Sequence, residues 1–402
     1  MNRFHHILTL IIIACTAVAF GACSMMEEDR SDCPTGLYVR FIYDYNTQRA
    51  DMFKDHVGYV TVYVYDESGQ KVAEKSVANT PATMPLAQYG YAMHFTEAEL
   101  PAGHKYRLQA VAMQKDWNEA LATPGAKYRR TDVTNANSLV ITLDHEAAPV
   151  PGASATGPHA VDNSAPMDTL WHTLKVMSTT TYGREAAAMP RTTKPYSVYP
   201  VEDQMVSLQA GYATYATISL IRDTKHLNIT LRQYDNPANV NADDYAVVIL
   251  DDNAVLNADN SLAPSDSLIY YPYAQWTTRY DENGLALEGD IHPATRADVV
   301  TERTAHYNLM FNRLMYDEDN LKNARLIITN KQSGEVVANL NLASILAEGR
   351  IAYELNNYSP QEYLDREYDY ELDFLLKGDK WLYCDIKIHI LAWARRKQNV
   401  EL

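Results

Sequence analysis

From Leu37 onward the chain is a succession of short apolar or alternating segments, each stopped by Gly, Pro, Asp or Asn. Leu37 to Tyr43 is dense in β-branched and aromatic residues and is bounded by Pro34, Gly36 and Asp44, which predicts a first strand. Tyr59 to Tyr65 has a two-residue period. Tyr59, Thr61, Tyr63 and Tyr65 share one face and Val60, Val62 and Val64 the other. The turn Asp66-Glu67-Ser68-Gly69 and the return through Lys71-Val72-Ala73 make this a hairpin, with the valine face expected in the core and the tyrosine face partly wet. Leu100-Pro101-Ala102-Gly103 marks a turn before a strand from Tyr106 to Met113, and Ser138 to Leu143 closes the series. Short strands at this spacing describe an all-β sandwich.

From Glu146 to Pro166 the chain is rich in Pro, Gly and small residues. The segment reads either as a linker, giving sandwiches over residues 37–150 and 166–402, or as one long exposed loop inside a domain. The second half repeats the idiom at Met205 to Leu208, Ala216 to Leu220, Leu227 to Leu231, Tyr245 to Leu250 and Leu268 to Tyr271. Arg325 to Thr329 and Glu335 to Ala338 form a hairpin. Leu340 to Leu346 and Pro360 to Asp365 are ambiguous and read as short helices. Tyr368 to Leu375 and Tyr383 to Ala394 are the last predicted strands, followed by a polar tail in which Val400 and Leu402 alternate.

The first residues change the picture. Arg3, His5 and His6 precede an apolar run from Ile7 to Phe20, shorter than the roughly 20 residues a bilayer span needs, so residues 1–22 read as a signal peptide. Phe20-Gly21-Ala22-Cys23 resembles a bacterial lipobox, with Phe20 where Leu is usual. Cys23 is then the acylated residue, palmitate-type chains holding the protein in the outer membrane; ordinary cleavage is the alternative. Residues 23–36 form a tether whose cluster Glu27-Glu28-Asp29 is repelled by anionic headgroups and resembles the acidic signal that sends lipoproteins of Bacteroidota outward.

A formal net charge of -16 argues against nucleic acid as a partner. The 29 Tyr against 7 Phe suit half-exposed strands. Of four cysteines, Cys33 and Cys384 remain once the leader and Cys23 are set aside, and they are either bridged or free. Catalytic or metal-binding chemistry is not expected. The histidines lack ligand spacing, His389 reads as a surface residue, and no G-x-S-x-G elbow is present. The clusters Asp251-Asp252-Asn253 and Asp317-Glu318-Asp319-Asn320 lack the EF-hand pattern and read as solvated turns. No metal and no cofactor is therefore expected.

Asp32-Cys33-Pro34-Thr35-Gly36-Leu37, the Val64 to Gly69 hairpin and the Leu100 to Gly103 turn resemble the FimB/Mfa-type fimbrial anchor lipoproteins of Bacteroidota. Leu220-Ile221-Arg222 running into Leu227 to Leu231, Gln361 to Arg366, and Ile386 to Trp393 are similar to later landmarks of that family. The resemblance implies two transthyretin-like β-sandwich domains in tandem and a structural, non-enzymatic role in a pilus assembled by strand exchange. Its partners would be fimbrial shaft subunits and, through the lipid, the outer membrane. An anchor is expected to retain Leu37 to Tyr43. The tail with Trp393, Val400 and Leu402 is either a donor strand or an ordinary final strand, since Arg395-Arg396-Lys397 interrupts its alternation. The alternative function is a surface glycan-binding lipoprotein, favoured if Tyr270, Tyr271, Tyr273 and Trp276 make a flat exposed platform.

Overall fold

The structure is a computed structural model that describes residues 34–79, 93–131, 133–181, 205–287, 300–319, 323–351, 356–390 and 394–400. The fold is all-β. The signal peptide, Cys23, Cys33, Trp393 and Leu402 lie outside the described residues.

The first sheet has eight strands. Its order is Lys71–Ala78, Tyr59–Tyr65, Lys105–Met113, Leu170–Thr181, Ala213–Arg222, Gly36–Ile42 and Met93–Phe95, with Met205–Ser207 paired to Lys105–Met113. The strand Tyr59–Tyr65 is paired on both sides. Its valines are fully buried, as the alternation predicts, in a core shared with Leu37, Val39, Leu108 and Ile218.

Tyr63 and Tyr65 on the other face are also fully buried, against the expectation of a wet face. Residues 133–143 cover them, with Val133, Ala136, Leu139 and Ile141 in the same core cluster. Arg130 caps Tyr63, donating to its hydroxyl and to Glu74. A strand's own period shows that it has two faces; whether the second face is wet depends on what distant chain lies over it.

The second region is a sandwich. A six-stranded sheet runs Ala274–Tyr280, Glu302–Phe311, Lys225–Gln233, Asp369–Lys377, Lys380–Ile390 and Ala394–Val400. A five-stranded sheet runs Val336–Asn341, Arg325–Asn330, Tyr245–Asp251, Leu268–Tyr270 and His159–Ala160. Leu227, Ile229 and Leu231 of the first meet Val247, Ile249, Leu326 and Ile328 of the second in one core. The two ambiguous segments are helices, Leu342–Ala347 and Pro360–Arg366. Each starts on a side chain that accepts an otherwise orphaned backbone N–H, Asn341 from Ser344 and Ser359 from Glu362.

The sheets do not follow the expected division between residues 150 and 166. Leu170–Thr181 and Ala213–Arg222 enter the first sheet, while Tyr128–Arg130 and Val140–Leu143 form a four-stranded sheet with Val255–Asn257 and Leu262–Ala263. A Pro- and Gly-rich stretch places its own backbone at the surface, but it does not say which sheet the following strand joins.

Candidate assembly site

The first strand, Gly36–Ile42, is the element an assembly reading depends on. It lies parallel to Ala213–Arg222, from Gly36 opposite Ala213 to Ile42 opposite Ser219, and antiparallel to Met93–Phe95 on its other side. Leu37 and Val39 are fully buried and Phe41 is 5% exposed, its ring 5.6 Å from Phe53. On the opposite face Tyr38 stacks on His94 at 4.2 Å and on Tyr215 at 5.3 Å, and Arg40 Nε donates to Thr217 Oγ1 at 3.0 Å. Gly36 has φ +84, and a Cβ there would collide with the Phe95 carbonyl oxygen, so the entry to the strand requires glycine. Burying three such side chains is worth about 5–9 kcal/mol. Removing the strand would also strip partners from the ladder groups of residues 213–219.

The strand Ala213–Arg222 runs through Asp223 and Thr224 directly into Lys225–Gln233, so the first sheet and the sandwich share one continuous backbone. All four polar residues at the crossing, Arg222 to Lys225, are buried, with Asp223, Thr224 and Lys225 at 0% exposure. Asp223 Oδ2 lies 2.6 Å from His172 Nδ1. Lys225 Nζ donates to the carbonyls of Asp365 at 3.0 Å and Glu367 at 2.8 Å. Burial pushes its pKa down to about 8, partly offset by the nearby carboxylates of Asp365 and Asp223.

Around this crossing, segments of both regions are tied together. Thr47 Oγ1 donates to Glu367 Oε2 at 2.9 Å. The guanidinium of Arg222 lies 4.2 Å from the Tyr368 ring and that of Arg366 lies 4.0 Å from the Tyr45 ring. Arg313 Nε donates to Asp365 Oδ1 at 3.0 Å, both side chains fully buried. Buried ionic contacts of this kind cost much to break singly, because the remaining partner is left charged and dry. The seam therefore fixes how the first sheet meets the sandwich. Sequence reading missed it, since Arg-Asp-Thr-Lys resembles a solvated turn. One signal was present: the segment joins two long β-patterned runs with no Gly, Pro or Asn to turn the chain.

The last strand, Ala394–Val400, pairs antiparallel with Lys380–Ile390, from Ala394 opposite Ile390 to Val400 opposite Cys384, at the edge of the six-stranded sheet. Cys384 is buried and has no disulfide partner among the described residues, outside which Cys33 lies, and burial raises the pKa of its thiol well above the ordinary value. The four aromatics singled out in the sequence do not form one platform. Tyr270 is in the core and donates to Asn253 Oδ1. Tyr273 is half-buried with its hydroxyl 3.0 Å from His226 Nε2, and Trp276 is 45% exposed.

The Asp251 to Asn253 segment is likewise not a solvated turn. Asn253 is fully buried and donates to Asp251 Oδ2 and to the carbonyls of Asn312 and Arg313, and burial pushes the Asp251 carboxyl up to about 8. Its covering comes from residues 60 positions away, which local spacing does not reveal. Glu318 and Asp319 are exposed.

Residues 30–399 match the model of the fimbrillin-A associated anchor proteins Mfa1 and Mfa2. Similar solved structures include a candidate polysaccharide-binding protein from Bacteroides thetaiotaomicron, 25% identical with a TM-score of 0.59 over 88% of this chain and 96% of that one. A candidate adhesin from the same organism is 22% identical with a TM-score of 0.61 over 89% and 97%. A candidate adhesin from Bacteroides ovatus is 20% identical with a TM-score of 0.54 over 92% and 97%. Among curated proteins none matches the chain. The family carries a fimbrial role at the cell surface, and it is structural, not enzymatic. The chain belongs to the fimbrillin-A associated anchor proteins.

Proposed function

We propose that this protein is an outer-membrane lipoprotein, acylated on Cys23, that terminates or anchors a fimbria and keeps its own first strand. The observation that carries the reading is the seat of Gly36–Ile42, an interior strand of the sheet with Leu37 and Val39 fully buried. A subunit that receives a neighbour's strand needs an empty groove, whereas here the chain's own first strand fills that position. That same strand continues back to Cys23 through residues 24–35, which reach at most about 40 Å when extended. Cutting the strand away would release the body from the lipid. The free end for shaft contact is then the carboxy-terminal tail, Ala394 to Leu402, acting as a strand donated to a shaft subunit.

The test is the amino-terminal mass of the protein isolated from membranes, wild type beside Cys23→Ala. The expected result is a diacyl- or triacyl-modified Cys23 contiguous with Leu37 to Tyr43, and loss of membrane association in the variant. A chain beginning downstream of Tyr43 would make this a polymerising subunit with an opened groove and overturn the proposal.

A further inference from the structure

The outer face of the six-stranded sheet, away from its core, carries an ordered row of aromatic and polar groups that the anchor role does not use. Trp276 on the edge strand Ala274–Tyr280 lies opposite His306, and the two rings stack at 4.9 Å and 18°. The imidazole is itself held from both sides: Nε2 lies 2.8 Å from Thr304 Oγ1 and Nδ1 lies 3.2 Å from Thr230 Oγ1. One face of the Trp276 ring thus rests on a fixed support while the side chain remains 45% exposed.

One rung along, the half-buried Asn308 and Asn228 lie opposite each other, with Asn228 Nδ2 donating to Asp369 Oδ1 at 3.3 Å and leaving its second N–H and its Oδ1 for a ligand. At the next rung the Tyr273 hydroxyl meets His226 Nε2 at 3.0 Å, and His226 Nδ1 meets Asp369 Oδ1 at 2.8 Å. Strands about 4.8 Å apart put roughly 10 Å between the Trp276 column and the Asn228 column, room for a disaccharide.

We propose that this face is a binding site for a neutral hexose polymer, with Trp276 as the stacking platform and the Asn228 and Asn308 amides as hydrogen-bonding partners for ring hydroxyls. A pyranose has an apolar C–H face that packs on an aromatic ring and a rim of hydroxyls that must stay hydrogen-bonded. Arg232 is paired with Asp373 at 2.7 Å and His226 with Asp369, and Glu302 and Glu371 stand on the same face by register, so the face disfavours an anionic ligand. A nucleobase would also stack on Trp276, but its phosphates face a chain of net charge -16. Holding His306 by two hydroxyls lowers the ordering cost of binding. The site is independent of the lipid and of the first strand, so it survives if the anchor proposal fails.

Native gels containing barley β-glucan, galactomannan or polygalacturonate test it with the full-length protein in detergent. Retardation by at least one neutral polymer is expected. It should weaken at least tenfold in Trp276→Ala and severalfold in His306→Ala, and persist in Leu121→Ala, an equally exposed apolar residue on a separate helix. No retardation by either neutral polymer, retardation by polygalacturonate alone, or unchanged retardation in Trp276→Ala overturns the proposal.

Discussion

The two ends of the described chain are both strands, and they are held in opposite ways. Gly36–Ile42 lies inside its sheet, with a parallel neighbour on one side and an antiparallel one on the other. Ala394–Val400 lies at a sheet edge, with Lys380–Ile390 as its neighbour among the described residues. An interior strand leaves only if its neighbours lose their ladder and their core, whereas an edge strand leaves by opening one ladder. The chain can give up its last strand far more cheaply than its first.

Between these ends runs an unbroken mechanical path. Ala394–Val400 is hydrogen-bonded to Lys380–Ile390, that strand to Asp369–Lys377, and that one to Lys225–Gln233. The last is continuous through Thr224 and Asp223 with Ala213–Arg222, which pairs with the first strand. Tension applied at the tail would reach the first strand through hydrogen-bond ladders and one covalent crossing, with the polar seam clamping that crossing.

The sharpest way to break the contrast is a carboxylate in the first strand. Val39 is fully buried between two ladders, so Val39→Asp should cost about 4 kcal/mol or more, enough to unfold the first sheet at ordinary temperature. Chemical denaturation with far-UV circular dichroism would read this. A loss under about 1 kcal/mol would mean the first strand is as dispensable as the last.

The seam gives a smaller, pH-dependent effect. Lys225 has a folded-state pKa of about 8 against 10.5 ordinarily, so between these values the unfolded chain binds more protons. Stability from this group is absent below pH 8 and grows as pH rises toward 10.5, by up to about 3 kcal/mol. Buried tyrosines such as Tyr43 and Tyr45, whose pKa values burial raises, act in the opposite sense once unfolded tyrosines ionise near pH 10. Urea unfolding at pH 7, 8, 9 and 10 should show wild type gaining on Lys225→Met across that range. A constant difference would mean that the ammonium is not dry and that the crossing is looser than the rest of the path.

Local alternation made the Tyr59–Tyr65 hairpin and its valine core readable, and the first strand, expected over Leu37 to Tyr43 from Pro34, Gly36 and Asp44, lies one residue earlier at Gly36–Ile42. Its parallel partner did not, because Ala213–Arg222 lies over 170 residues away and parallel pairing leaves no turn in the sequence. The buried tyrosine face and the buried Arg222 to Lys225 segment share that cause. Their covers, residues 133–143 in one case and His172, Asp365 and Glu367 in the other, are supplied by remote chain. The Asp251 to Asn253 segment was misread for the same reason, since Asn253 is buried with its amide donating to the carbonyls of Asn312 and Arg313. A polar residue looks solvated until the fold brings partners to it.

The smallest effect on folding should accompany a large one on assembly. Deleting Ala394 to Leu402 removes an edge strand and exposes one side of Lys380–Ile390, whose Cys384 and Ile386 remain packed against Phe374 and Leu372 across the next ladder. The truncated protein should keep the first sheet and the seam and lose about 1–2 kcal/mol of stability, and with the proposed acylation of Cys23 intact it should still reach the membrane. If the tail is the donated strand, shaft subunits should no longer co-purify with it, while Val39→Asp abolishes both folding and co-purification. Co-purification retained after the deletion would locate the shaft contact elsewhere, and the edge position of Ala394–Val400 would then mark only the end of a sheet.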